Sequence, residues 1–259
     1  MASPPARRAA APQGPPAFSD RAQAGQLLAA ALLAVLDQAD PERGRAGADR
    51  PRVFALPRGG VPVAAWVARA TGATLDALVV RKIGHPAAPE LGLGAIAEDG
   101  RGGAAEPYFD EEMLATVGLT AADLADVVAR ERAELARRVA VYGRRPPAGG
   151  RDGTAAPSEP QPDLAGELVI VVDDGLATGV TARAALRAVR ARGAARTVLA
   201  VPVAAPAAAE AMKKETDEVV TLVTPRRFRS VGEWYVDFGQ LTDADVLTIL
   251  SSRGTRAPA

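Results

Sequence analysis

The 259-residue chain has no cysteine, which excludes disulfide staples, thiolate metal sites and a cysteine nucleophile. Its one histidine, His85, leaves no imidazole cage for a metal and no Ser-His pair with a spare. Net charge is also missing: 31 basic residues balance 31 acidic ones, so no overall field draws the protein to a nucleic-acid backbone or an anionic membrane. The longest apolar run, Leu27 to Leu36, falls short of the roughly 18 residues that suggest a membrane span. These absences predict a soluble, cytoplasmic protein with neither nucleic acid nor membrane as partner. Lysine is scarce too, with only Lys82, Lys213 and Lys214 among the basic residues, and each is therefore more informative than one arginine of many.

What is present reads as a single α/β domain over 18–252 between two disordered ends. Residues 1–17 are mostly Ala, Pro and Arg and bury too little apolar surface to offset their ordering entropy; 253–259 is read as a disordered tail. Arg7 and Arg8 are followed by Ala, Pro and Gly where a targeting signal would carry an apolar stretch. Asp20 with Gln23 predicts a helix start, and Leu28, Ala31, Leu32 and Val35 continue it at helical spacing. Strands are predicted at 53–56, 75–80, 168–172, 197–203 and 218–223, alternating with helices at 62–70, 182–193 and 207–214. A long amphipathic helix follows Thr120 and Asp123, and the Pro- and Gly-rich stretch 143–166 reads as a flexible internal loop. Alternating strands and helices imply an open, mainly parallel sheet flanked by helices, with ligands at the carboxyl ends of the strands.

The segment Val169 to Thr181 carries most of the chemistry. An apolar strand delivers Asp173 and Asp174 to the sheet edge, and Gly175-Leu176-Ala177-Thr178-Gly179-Val180-Thr181 leads into a helix. Backbone N–H groups at a helix N-terminus attract a phosphate, and glycine lets it approach closely. Two carboxylates beside a phosphate need a neutral or cationic partner between them, and a ribose 5-phosphate supplies one, its hydroxyls donating to the acids. No Gly-Lys-Ser/Thr loop and no Gly-x-Gly-x-x-Gly after the first strand is found.

This run, with Pro57-Arg58-Gly59-Gly60 and Arg81-Lys82-Ile83-Gly84-His85-Pro86, resembles the type I phosphoribosyltransferases, which bind 5-phosphoribosyl 1-pyrophosphate (PRPP). The segment Pro89 to Glu98 and the segment Val231 to Phe238 are similar to a subgroup of bacterial members whose acceptor is unsettled. The resemblance implies a type I phosphoribosyltransferase-like fold with small hood or lid elements, and transfer of phosphoribosyl from PRPP to a nitrogen of a nucleobase-like acceptor, releasing pyrophosphate. Asp173 and Asp174 would hold the ribose hydroxyls, and Gly175, Ala177, Thr178, Gly179, Val180 and Thr181 the 5-phosphate side. Arg58, Gly59 and Gly60 would hold the pyrophosphate, in a tight loop that often carries a non-proline cis peptide in the family. Lys82, with Arg81, would neutralise the leaving group, and Mg²⁺ would be held mainly through PRPP oxygens near Asp173 and Asp174.

A lid is expected at Gly84 to Gly103, because water would hydrolyse the intermediate. Ala177 stands where oxopurine enzymes of the family carry a proton-handling Asp, which shifts the resemblance toward the Ala-Thr-Gly members. Glu90 and Glu98 have two readings, an acid or base carried by the lid and, favoured of the two, a solvated loop acid; for His85 a proton-transfer role is the lesser reading and a metal role is not expected without a second imidazole. Phe228, Trp234 and Tyr235 are packing residues or base-stacking surfaces. The resemblance leaves room for a homodimer. The rival reading is a non-catalytic regulator that binds PRPP or a nucleotide on the same fold. Deleting 149–161 should leave the melting temperature within a few degrees of the parent's, because closure entropy changes slowly with loop length; thermal denaturation of the two chains checks this.

Overall fold

The computed structural model describes residues 17–39, 51–142 and 163–252. The tail 253–259 lies outside them, and so do the expected arm, except Ala17, and the expected internal loop, except its last four residues. Of those four, Leu164 is fully buried and its N–H donates to the Arg192 carbonyl at 3.0 Å, while Asp163, Ala165 and Gly166 are exposed.

Five strands form the central sheet: β1 (Arg52–Ala55), β2 (Thr74–Ala77), β6 (Leu168–Val172), β7 (Arg196–Val203) and β8 (Glu218–Val223). Their order is β2-β1-β6-β7-β8 and every pairing is parallel. Parallel neighbours need crossovers, and α2 (Gly60–Thr71), α5 (Val180–Ala191) and α6 (Pro206–Met212) supply them. The strands are apolar at successive positions because both faces are covered. Val53, Ala55, Ile170 and Val172 point into a core shared with α1 (Arg21–Ala39) and α2. Phe54, Val169, Val171 and Leu199 point the other way, into a core shared with α5 and α6. Helix α1 lies close on α2 because Gly25 has no side chain; a Cβ there would lie 2.8 Å from the Val63 carbonyl.

A second, antiparallel sheet of β3 (Val80–His85), β4 (Ala88–Ala97) and β5 (Tyr108–Phe109) corrects one expectation and gives the stretch of another its form. The strand expected at 75–80 is divided: β2 ends at Ala77, the Leu78 N–H donates to Ala55, and the chain enters the other sheet at Val80. Arg81 and Lys82 therefore lie within a strand of the second sheet, not at an end of the first. The glycine-rich stretch expected as a lid is largely β-structure. Its glycines serve close strand approach: a Cβ at Gly84 would overlap the Pro89 carbonyl, and one at Gly94 the Tyr108 carbonyl. Ala95, Ala97 and Tyr108 seat this hairpin on Val180, Ala184 and Ala188 of α5.

Helices α3 (Glu111–Val117), α4 (Ala125–Tyr142) and α7 (Asp243–Ser251) complete the described elements together with two 3₁₀ turns, Ala122–Leu124 and Val231–Trp234. The sequence reading placed no helix at α3 or α7. Both carry cap signals: Asp110 accepts from the Met113 N–H at 3.1 Å, and Thr242 with Asp245 forms a capping box. Among the described residues no helix is long and apolar enough to cross a membrane.

Glu98 follows β4 and is no solvated acid. It is 3 % exposed, and its carboxylate accepts the Val79 N–H at 2.8 Å, where the chain passes from one sheet to the other. Burial pushes its pKa from 4.5 to about 7, against the Val79 hydrogen bond and the nearby Arg192 and with help from Asp76 and Asp99. A raised folded-state pKa means that the folded protein holds the proton more tightly than the unfolded chain. Glu98 therefore supports stability below its unfolded pKa, and that support is lost as pH rises through about 7. The window corresponds to roughly 3 kcal/mol at most. Glu98→Gln keeps an acceptor for Val79 and should remove this part of the pH dependence, making the variant relatively more stable at pH 8 than at pH 5; chemical denaturation at both values checks it.

Candidate functional site

Strands β1 and β6 are adjacent and parallel, with Ala55 level with Val172, so the segments that leave them emerge side by side at the carboxyl edge. One is Pro57-Arg58-Gly59-Gly60 and the other is Asp173-Asp174-Gly175. Their backbones nearly touch. A Cβ at Gly59 would overlap the Asp174 carboxylate, and one at Gly60 would lie 2.6 Å from the Val172 carbonyl and 2.9 Å from the Asp173 Cα. The Pro57–Arg58 peptide is cis. Gly175 meets a different wall, since a Cβ there would lie 2.5 Å from Val231.

The two acids are largely buried and held differently. Asp173 Oδ1 accepts the N–H of Asp174 at 2.8 Å. Asp174 Oδ2 accepts Arg21 Nε at 2.8 Å, and the Asp174 carbonyl accepts the Tyr235 hydroxyl at 2.6 Å. Burial, and then the neighbouring Asp174, raise the pKa of Asp173 well above the usual carboxylate range. Burial raises Asp174 as well, opposed by the Arg21 guanidinium.

Beyond the acids, Leu176 continues alongside β7, its N–H donating to Val203 at 2.8 Å, and then the chain turns outward. Ala177 and Thr178 are exposed, Gly179 takes φ +81°, and α5 begins at Val180 with no side chain capping it. Uncapped N–H groups at the start of a buried helix, beside an exposed turn with Thr178 and Thr181, make a cradle for a phosphate dianion. The left-handed conformation at Gly179 explains glycine there.

The other expected residues are more scattered. Arg58 is exposed, with its guanidinium 3.9 Å from Asp243 on α7, which also accepts the Tyr142 hydroxyl at 2.5 Å. Arg81 pairs with Glu131 of α4 at 2.8 Å. Lys82 donates to the Glu90 carbonyl at 3.0 Å, with the fully exposed Glu90 carboxylate 3.7 Å away. Lys82, Arg81, His85 and Glu90 share a cavity of about 290 Å³ between the hairpin and α4, which Arg130 also lines. His85 Nδ1 accepts the Ala87 N–H at 3.1 Å.

Of the aromatic candidates, Tyr235 is 4 % exposed and packs against Phe18 at 5.3 Å and Phe238 at 5.1 Å between ring centres. Its ring is a core element and not a stacking surface, because neighbours from both chain ends cover it. Phe228 and Trp234 are half-buried beside the same cluster. Sequence reasoning missed Arg21 and the part of Tyr235 that binds Asp174. Arg21 had one signal, its place in the first turn after the Asp20 cap, and nothing in its spacing pointed to an acid about 150 residues away.

Hard Mg²⁺ is usually bound through one or two carboxylates plus substrate phosphates. Asp173 and Asp174 supply that donor set, and among the described residues no cluster of three or more His, Cys, Asp or Glu could hold a metal by itself. The residues present thus fit an ion shared with a polyphosphate ligand.

A parallel sheet with paired acids and an open phosphate cradle at its carboxyl edge defines an α/β fold of phosphoribosyltransferase type. The family model for the phosphoribosyl transferase domain matches residues 23–238, and the chain belongs to that family. It is 39 % identical over 233 residues to two curated Mycobacterium tuberculosis proteins, named "Putative phosphoribosyl transferase Rv0571c" and "Putative phosphoribosyl transferase MT0597". The match covers 90 % of this chain and 46 % of each relative, so the chain spans about half the length of the curated relatives it matches. It also resembles the crystal structure of TT1426 from Thermus thermophilus, at 39 % identity and a TM-score of 0.66, covering 91 % of this chain and 98 % of that one.

The contact between the two loops can be tested directly. Gly59→Ala should lower stability by about 1 to 3 kcal/mol, the usual cost of forcing a methyl group into a packed site. Chemical denaturation of the parent and the variant checks it.

Proposed function

We propose that this protein is a cytoplasmic Mg²⁺-dependent phosphoribosyltransferase, which moves 5-phosphoribosyl from PRPP to a nitrogen of a nucleobase-like acceptor and releases pyrophosphate. The observation that carries the reading is the close contact of Gly59 and Gly60 with Asp173 and Asp174, next to the open cradle at 177–181. One substrate then reaches three features at once. Its 5-phosphate accepts from the N–H groups of the Ala177 to Thr181 turn, its ribose hydroxyls donate to Asp173 and Asp174, and its pyrophosphate lies along the backbone of Arg58 to Gly60.

Breaking the anomeric bond leaves positive charge on the sugar and negative charge on the leaving group. The buried acids favour the first. Arg58 and Lys82 are available for the second, since each has an exposed carboxylate partner, an interaction worth about 0 to 1 kcal/mol that pyrophosphate can displace. Bound Mg²⁺ would add charge neutralisation at the pyrophosphate oxygens. Phe228 and Trp234 are proposed as the apolar flank of the acceptor. Ala177 brings no carboxylate to the acceptor and Glu98 is committed to Val79, so a base that needs little proton handling suits the site best.

Pyrophosphate release from PRPP and Mg²⁺ over a panel of nucleobases tests the reaction. Release with at least one base is expected, and Asp173→Asn should weaken PRPP binding by roughly 10- to 100-fold, the worth of a hydrogen bond to a charged group. Lys82→Ala should reduce single-turnover rate more than PRPP affinity, because the leaving group gains its charge only as the bond breaks. PRPP binding without release from any base would favour the regulator reading, and absence of PRPP binding would overturn both.

A further inference from the structure

We propose that Arg21, at the first residue of α1, is a positioning residue for the PRPP site, which clamps the Asp174 carboxylate against the Gly59 backbone and so sets the shape of the pyrophosphate loop. Arg21 is held on three sides. Its Nε donates to Asp174 Oδ2 at 2.8 Å, its Nη1 donates to the Gly239 carbonyl at 2.9 Å, and its guanidinium lies 3.9 Å from the centre of the Phe238 ring. The side chains of Arg21 and Asp174 are only 12 % and 14 % exposed, so this is not a solvated surface pair.

The contact joins parts of the chain that are remote in sequence. Segment Ala17–Ser19 pairs with the stretch 234–237, since the Ala17 and Phe18 N–H groups donate to Trp234 and the Val236 and Asp237 N–H groups donate back to Phe18 and Ser19. Gly25, one turn beyond Arg21, lets α1 settle on α2, the helix that begins at Gly60 directly after the pyrophosphate loop. Arg21 is thereby fixed relative to both sides of the acid. Asp174 Oδ2, the oxygen that Arg21 binds, is also the atom that a Cβ at Gly59 would strike first. Were the guanidinium absent, the carboxylate could turn away from Gly59 and the loop would lose the surface it rests on. A lysine would retain the charge but not the planar fork that serves Asp174 and Gly239 together.

The assignment rests on the phosphoribosyl reading, and the experiment separates the two. PRPP with Mg²⁺, and inorganic phosphate as a probe of the 177–181 cradle alone, are titrated by calorimetry and NMR into the full chain, Arg21→Ala and Arg21→Lys. Arg21→Ala should weaken PRPP binding by about tenfold or more, in keeping with truncation of a desolvated, hydrogen-bonded charge pair. Phosphate affinity should stay within about twofold, since the cradle uses backbone donors that Arg21 does not touch. Arg21→Lys should fall between parent and alanine variant for PRPP. If Arg21→Ala binds PRPP as the parent does, or loses PRPP and phosphate affinity equally, the assignment is overturned while the phosphoribosyl reading stands. Should Arg21→Ala fail to fold, Arg21→Lys decides, and parental PRPP affinity in that variant overturns the assignment. No PRPP binding by the parent overturns the phosphoribosyl reading and this assignment with it.

Discussion

The site depends on a backbone contact too close for any side chain, where Gly59 and Gly60 meet the paired acids at the ends of two neighbouring parallel strands. A carboxylate can be held this near another strand's main chain only if that strand presents no Cβ. Close packing then gives little room for relaxation, and the positions of the acids and of the loop are set together. The buried β1–β6 pair, apolar on both faces, keeps the two loops in register.

Helix α5 connects this edge to the rest of the molecule. Its first turn is the proposed phosphate cradle, one face packs on the central sheet, and Val180, Ala184 and Ala188 carry the antiparallel hairpin with Arg81 and Lys82. Glu98 spans the passage between the sheets with a buried carboxylate, and burial shifts its proton affinity toward neutrality. The hairpin is thus tied to the core at a titratable point and along a small-residue face, while its tip bears the exposed Glu90 next to Lys82. Lys82 is held by an exposed partner, whereas Asp174 at the sheet edge is held by the largely buried Arg21.

Local patterning was a good guide wherever the local chain decides the outcome. Five apolar residues before Asp173 could form only a doubly covered strand, and Ala-Thr-Gly-x-Thr after it could serve a helix N-terminus. The same reasoning did not find the strands within Gly84 to Gly103, because glycine serves loops and close strand approach equally and only the partner, here Pro89 or Tyr108, reveals the second. Glu98 was misjudged for a related reason. Its neighbours in sequence are those of a loop acid, while its hydrogen-bond donor Val79 and the nearby charge of Arg192 are brought in from elsewhere in the chain.

The sequence alone determined the parallel α/β architecture, the paired acids, the glycine turn into α5 and the resemblance to phosphoribosyltransferases, since each is written in periodicity or in contiguous residues. The tertiary structure alone decided that Arg81 and Lys82 belong to a second sheet, that Tyr235 is core and ties down the Asp174 carbonyl, and that Arg21 meets Asp174. These are contacts between segments separated by tens to hundreds of residues. Spacing along a chain carries the short-range geometry of helices and strands, whereas which distant side chain fills the space beside a buried carboxylate depends on how all the layers pack.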